Sequence, residues 1–112
     1  MIFKGERNGT THIEMIRNGT KTQTRRPTDR YQVGKSYAVQ PGRGKTGIPG
    51  LRILITNKWV EFKSARWILW EEAKDEGDYT PEEYEQLYET MYPGWVSRWA
   101  YLFKVVRESL DG

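Results

Sequence analysis

The sequence predicts an α+β domain, mainly β, in which a small and mostly antiparallel barrel is flanked by short helices. Three observations lead to this fold class. The chain has 112 residues, which suits a single domain spanning residues 1–112. Apolar residues alternate with polar ones over several stretches, which indicates strands. Helical patterns interrupt these strands without a regular βαβ rhythm, which disfavours a doubly wound parallel sheet.

The first helix is predicted close to the start of the chain. Thr11-x-x-Glu14 has the spacing of a capping box, in which a hydroxyl and a carboxylate each satisfy a free backbone amide. The helix is expected to run to about Asn18, because Gly19 can adopt the left-handed conformation that ends a helix. Residues 20–26 (TKTQTRR) then form a polar strand or a tight loop.

Three more strands are predicted at residues 35–40, 51–62 and 99–105. Between the first two, residues 41–50 contain four glycines and two prolines, which is typical of a loop. The run Gly42-Arg43-Gly44-Lys45-Thr46 superficially resembles a phosphate loop, but its spacing does not match a Walker A motif and no helix follows. The loop is either a mobile basic flap that contacts a nucleic-acid backbone or an ordinary hairpin loop.

Two more helices are predicted in the second half of the chain. Residues 71–77 are acidic and end at Gly77, which indicates a short helix. Thr80 and Pro81 are typical of the first residues of a helix, which is expected to end at Pro93-Gly94. The helical stripe expected to pack in the core consists of Tyr84, Leu87, Tyr88 and Met91.

Charge is distributed unevenly along the chain. Residues 1–60 hold 12 Lys and Arg against 3 Asp and Glu, whereas residues 61–112 hold 6 against 12. The basic half is typical of a surface that meets phosphates, so nucleic acid is the leading partner class. The alternative is that the two halves attract one another within the domain. The basic side chains concerned are Lys21, Arg25, Arg26, Arg30, Lys35, Arg43, Lys45 and Arg52.

Composition excludes several classes of site. The chain has no Cys and a single histidine, His12, so a thiolate site, a histidine-based metal site and a Ser-His-Asp triad are not expected. No metal and no organic cofactor is implied. His12 itself is expected at the surface or as a capping residue, and most of the five tryptophans are expected in the core. The charged start and the lack of a long apolar run favour a soluble, cytoplasmic protein.

The order of these motifs resembles the ASCH family of PUA-like domains, whose signature is a short helix followed by Gly-x-Lys-x-x-Thr-x-Arg. In this chain Gly19, Lys21, Thr24 and Arg26 match that signature. The similarity continues through 33–35, the acidic segment 72–77, the helix from Thr80 to Tyr92 and the aromatic last strand. It therefore covers nearly the whole chain.

The resemblance implies two functions. Some small family members are amidohydrolases that remove the acetyl group of N4-acetylcytidine with a Thr, a Lys and a Glu, which correspond here to Thr24, Lys21 and Glu76. Others resemble RNA-binding modules or have been proposed to act as ribonucleases. A substrate or RNA would then contact the basic residues Arg25, Arg26, Arg43 and Lys45.

The amidohydrolase interpretation sets two conditions on the site. Lys21 can take the proton of Thr24 only if burial or neighbouring cations lower its pKa, whereas an ion pair with Glu76 would raise it. Residues three apart point to opposite faces of a regular strand, so Lys21 and Thr24 meet one ligand only if the chain turns between them. The sequence leaves both conditions open.

Overall fold

The computed structural model describes residues 1–65 and 67–107. Along this part of the chain the element order is β1 (Glu6–Arg7), β2 (Thr10–Thr11), α1 (His12–Asn18), β3 (Gln23–Arg26), β4 (Ser36–Ala38), β5 (Leu51–Phe62), α2 (Trp70–Gly77), α3 (Pro81–Met91) and β6 (Ser97–Arg107). None of the helices in these ranges has the length and apolar character that crossing a membrane requires.

The main sheet is antiparallel, as predicted, but within residues 1–65 and 67–107 it does not close into a barrel. Its four strands lie in the order β3-β6-β5-β4, and β1 pairs with β2 in a separate hairpin. The prediction of a closed barrel is therefore wrong. The two edge strands, β3 and β4, have only four and three residues, and they are too short to pair with each other and close the sheet. Residues 1–3 lie beside this gap, where Phe3 N donates to Gln40 O at 2.9 Å and Arg26 Nη2 donates to Ile2 O at 2.7 Å.

A β-bulge changes which side chains of β5 face the helices. The pairing of β5 with β6 shifts between Ile55 and Asn57, so Thr56 is an extra residue on β5. Before the bulge, odd-numbered residues of β5 share a face with Phe103 and enter the larger apolar cluster. After the bulge, Trp59 and Glu61 lie on the other face of the sheet, where they pair with Ala100 and Arg98 of β6.

The sheet separates two groups of packed side chains. The larger cluster lies on the face of Ile53, Ile55 and Phe103, and its buried members are Met1, Phe3, Ile16, Val39, Leu51, Ile53, Ile55, Tyr101 and Phe103. The second joins the segment before α2 to α3 through Ile68, Ala73, Tyr79, Tyr84 and Tyr88. Of the predicted apolar stripe of α3, Tyr84 and Tyr88 are buried, Leu87 is half-buried and Met91 is exposed.

The expectation that most tryptophans are core residues is wrong. Trp67 and Trp70 are 58 % and 60 % exposed, and Trp59, Trp95 and Trp99 are only half-buried. Tyrosines fill the interior instead. A tyrosine places a polar oxygen at the far end of its ring: the hydroxyl of Tyr79 bonds to His12 and that of Tyr101 donates to Thr28 O, whereas that of Tyr88 has no hydrogen-bond partner among the described residues.

The predicted helix boundaries are close to those observed. Thr11 and Thr80 both cap their helices, each accepting a hydrogen bond at 3.2 Å from the backbone N–H three residues later. Gly19 ends α1 in the left-handed conformation with φ 84°. Helix α2 ends at Gly77, as predicted, and Asp78 takes the left-handed conformation directly after it.

Candidate functional site

A cavity of about 570 Å³ opens beside the edge strand β3. Residues 2–6, α1, the segment 21–26, the end of α2 and the inner face of α3 contribute its walls, and Arg43 reaches it from the loop 41–50. The cavity brings together six of the seven residues predicted for the site, five of which are Lys21, Thr24, Glu76, Arg26 and Arg43. Arg25 also lines it, whereas Lys45 is exposed and lies outside the lining.

Lys21 is a buried lysine that precedes β3. The chain turns here because Lys21 N donates to Met15 O at 3.0 Å and Thr22 N donates to Asp75 O at 2.8 Å. The ammonium group donates to Gln23 O at 2.8 Å, to Glu76 O at 2.6 Å and to Glu76 Oε1 at 3.4 Å. Burial lowers the pKa of Lys21, and this outweighs the opposing effect of Glu76. The sequence leaves open whether the pKa of Lys21 is lowered or raised. The structure lowers it, which is the direction that amide hydrolysis requires.

Thr24 lies within β3 with its side chain buried. Its hydroxyl accepts a hydrogen bond from Arg26 Nε at 3.2 Å. Since Lys21 lies before the strand begins, the turn lets both side chains reach the cavity although they are three residues apart. Among the described residues no hydrogen bond joins Lys21 Nζ to Thr24 Oγ1, and such contacts often tighten only when a substrate binds.

Glu76 is the buried carboxylate of the site. It is 1 % exposed and lies near the end of α2, where it pairs with Lys21 at 3.4 Å and with Arg25 Nη1 at 2.8 Å. Burial alone would raise the pKa of Glu76, but the charges of Lys21 and Arg25 lower it instead. Glu76 is therefore ionised at neutral pH.

Arg25 has a different role from the predicted one. It points to the opposite face of β3 from Thr24, towards the helices, and its side chain is fully buried. All five of its N–H groups donate: two to Glu61 at 2.8 and 2.9 Å, and one each to Gln23 Oε1, Glu72 and Glu76 at 3.1, 3.0 and 2.8 Å. No donor is left for a phosphate or a substrate, so Arg25 holds the walls of the cavity together.

The carboxylates that Arg25 binds belong to a larger buried network. Arg98, 1 % exposed, donates to Glu61 at 3.0 Å and to Glu85 at 2.7 and 3.1 Å. The guanidinium groups of Arg25 and Arg98 lie 6.0 and 5.8 Å from the Tyr84 ring. The interpretation that the two halves of the chain attract one another thus holds for Lys21 and Arg25.

The remaining basic residues differ in what they offer a ligand. Arg26 is half-buried, lies 5.0 Å from the centre of the Phe3 ring and uses Nε and Nη2 for Thr24 and Ile2. Arg43 is exposed at the mouth of the cavity. Lys4, which was not predicted as a site residue, is also exposed and lines the same mouth. Within the cavity, the exposed positive charge therefore lies at the mouth.

Two further cavity residues, His12 and Tyr79, were not predicted as site residues. His12 was expected at the surface, yet it is half-buried, lines the cavity, and its Nε2 lies 2.9 Å from the Tyr79 hydroxyl. Burial, followed by the charge of Lys21, lowers the pKa of His12 to about 4. His12 is therefore neutral at pH 7. No local sequence signal links a histidine at the start of α1 to a tyrosine that is 67 positions further along the chain.

The fold of the chain has counterparts among solved structures. An ASCH domain from Lactobacillus crispatus JV V101 superposes with a TM-score of 0.61 at 17% identity, covering 85% of this chain and 70% of that one. The chain has the ASCH-domain fold. A mutant of the ZmASCH protein from Zymomonas mobilis gives 0.57 at 17% identity, covering 88% and 68% of the two chains.

The resemblance inferred from the sequence is thus confirmed for the ASCH fold. Protein EF3133 from Enterococcus faecalis V583, assigned to DUF984, has the same architecture, with a TM-score of 0.60 at 18% identity over 88% of this chain and 72% of that one. No family model and no curated protein matches the sequence. At such identities the comparison establishes the fold, and the function must be argued from the cavity.

Proposed function

We propose that this ASCH-fold protein acts on a modified nucleoside, hydrolysing the N-acyl amide of an N4-acetylcytidine-like substrate. One observation carries the proposal: a buried lysine with a lowered pKa and a threonine hydroxyl line one cavity, beside a carboxylate that is ionised. Amide hydrolysis requires a nucleophile and a group that moves its proton. Thr24 and Lys21 supply the two, and the resemblance to the small amidohydrolases assigns them the same roles.

In the proposed reaction Thr24 Oγ1 attacks the acyl carbon while the neutral amine of Lys21 takes the hydroxyl proton. Lys21 then gives that proton to the departing exocyclic nitrogen, and water hydrolyses the acyl-threonine. Three oxygens surround the ammonium form in the resting site, so the lowered pKa is what makes the neutral form accessible.

Glu76 acts in this scheme as a positioning residue. Its lowered pKa makes it a poor proton donor at neutral pH, which disfavours a role as the general acid for the leaving amine. Its contact with Lys21 at 3.4 Å fixes the amine beside the cavity. Arg26, beside Thr24, and Arg43, at the mouth, are available for the acyl oxygen or the sugar.

The test is to incubate the purified protein with N4-acetylcytidine and to follow cytidine release by chromatography. Lys21→Met and Thr24→Val keep the side-chain volume and are expected to abolish turnover. Thr22→Val is the matched control, because Thr22 lies outside the cavity lining. Melting curves of all three variants separate lost chemistry from lost folding. Equal loss of activity and stability in all three would show that the segment is structural only.

A second function, RNA binding without catalysis, is favoured by the exposed cations at the cavity mouth. Lys4 and Arg43 can contact phosphates that a free nucleoside lacks. For single-stranded RNA the logarithm of the affinity falls with the logarithm of the salt concentration, with a slope of about 0.7 per phosphate contact. Hydrolysis of a free nucleoside is expected to show almost no salt dependence. Measuring both quantities between low and high salt distinguishes the two functions.

A further inference from the structure

The missing side chains of two glycines make room for the His12 ring inside the cavity. A Cβ added to Gly5 would lie 2.5 Å from His12 Cε1 and 2.6 Å from Nδ1, which is closer than side-chain atoms approach one another. A Cβ added to Gly77 would lie 3.4 Å from His12 Nε2 and 3.0 Å from Tyr79 Cε2. The histidine thus occupies space that two separate segments leave open, and its backbone N–H donates to Gly5 O at 2.8 Å.

Tyr79, the hydrogen-bond partner of His12, is also held in place by its neighbours. Tyr79 is 7 % exposed, and its ring packs edge-on against Tyr84 with ring centres 5.7 Å apart. Arg7 lies over the same ring at 4.9 Å and is itself anchored to Glu83 at 2.7 Å. The hydroxyl of Tyr79 makes its hydrogen bond to His12 Nε2 at 2.9 Å. A tyrosine hydroxyl can take part in more than one hydrogen bond, so capacity remains for a ligand.

The charged groups inside the cavity have little capacity left. Arg25 uses all five N–H groups and Lys21 uses all three, and Glu76 accepts from both of them. A charged ligand group placed beside Lys21 and Glu76 would be buried without a counter-charge, which costs free energy. The ligand group that enters furthest must therefore be uncharged, and an uncharged pair of side chains must meet it.

We propose that His12 and Tyr79 form a specificity-determining pair that recognises the uncharged polar edge of a nucleobase through the Tyr79 hydroxyl. This inference rests on the proposed function and names the part of the substrate that the cavity selects. His12 orients the hydroxyl and Tyr79 contacts the base. The neutral state of His12 at pH 7 fits this role, because a charged imidazolium would have no acceptor to offer the hydroxyl proton.

The experiment uses the fact that His12 is the only histidine in the sequence, so its imidazole gives one assigned signal in a proton–carbon NMR spectrum. Cytidine serves as the binding probe and N4-acetylcytidine as the substrate. Addition of cytidine is expected to shift the His12 signal. Tyr79→Phe keeps the ring contacts and is expected to raise the KM for N4-acetylcytidine about tenfold with kcat little changed, as for the loss of one neutral hydrogen bond to bound substrate.

Two further variants make the test specific. Tyr37→Phe removes a hydroxyl that accepts from Gln32 N, outside the cavity lining, and is expected to leave KM unchanged. Gly5→Ala displaces the His12 ring without altering Lys21 or Thr24, and is expected to reproduce the KM effect of Tyr79→Phe.

The outcomes separate the two proposals. An active protein in which Tyr79→Phe and Tyr37→Phe have equal KM values, and in which cytidine leaves the His12 signal unmoved, overturns the recognition pair alone. A protein that neither releases cytidine nor binds it overturns the nucleoside function, and the pair with it.

Discussion

Replacing Arg25 with methionine tests whether the buried ion network is what holds the cavity walls together. Methionine keeps most of the volume of the side chain but removes five hydrogen bonds, four of them to carboxylates. The three carboxylates do not lose every partner. Glu61 keeps Arg98 at 3.0 Å and Trp59 Nε1 at 2.9 Å, and Glu76 keeps Lys21 at 3.4 Å.

Removing one partner from a buried ion pair typically costs about 3–5 kcal/mol, because the remaining charge stays buried without compensation. For a domain of this size each kcal/mol corresponds to about 4 °C in Tm, so Arg25→Met is expected to lower Tm by about 12–20 °C. The retained partners favour the lower end of this range.

The assay is thermal and urea unfolding followed by circular dichroism. Arg30→Met is the matched control: Arg30 is exposed, and its contact with the Tyr101 hydroxyl is through its backbone N–H. A surface substitution of this kind is expected to change the stability by less than about 0.5 kcal/mol. If Arg25→Met melts within a few degrees of Arg30→Met, the network does not stabilise the fold and the reasoning above is refuted.

Three other predictions concern pH and capping. Hydrolysis is expected to rise with pH and to level off below the ordinary lysine pKa of about 10.4, because the neutral amine of Lys21 is the base; a rate that falls over this range would contradict that role. The unfolded chain takes up a proton at His12 near pH 6.5 but the folded chain only near pH 4, so stability is expected to fall as the pH is lowered between these values, and less steeply in His12→Asn. Thr80→Ala removes the cap of α3 and is expected to cost about 1 kcal/mol in urea unfolding, whereas the exposed Thr90→Ala, at the other end of that helix, serves as its comparison.

Local features of the sequence predicted most elements of the fold. Strand β5 has the predicted bounds, because alternating apolar residues and the flanking loop mark both of its ends. Helices α1 and α3 begin at the predicted threonines, because capping depends on residues only three positions apart. The hairpin of β1 and β2 was missed, since its two-residue strands are too short to show any periodicity.

The site was predictable only where a motif places it. Lys21, Thr24 and Glu76 all line the cavity, and the catalytic roles that the resemblance implies for them stay a prediction. The buried state of Arg25 was not predictable, because its carboxylate partners are 36 to 51 positions away and a run of basic residues is more often exposed. The buried position of His12 was not predictable either, because it depends on glycines in two distant segments.

The bulge at Thr56 makes this position tolerant to one kind of genetic change and intolerant to another. The side chain of Thr56 is exposed, so most missense changes at its codon are expected to be accepted. An in-frame loss of that codon only removes the bulge, because Asn57 to Phe62 can keep their pairing with β6 and Glu61 stays opposite Arg98. An in-frame gain of one codon after it is different, because the extra residue turns Glu61 towards the apolar cluster, away from Arg25 and Arg98. In a lineage of related chains, this part of β5 should therefore vary freely in residue type while its length does not increase.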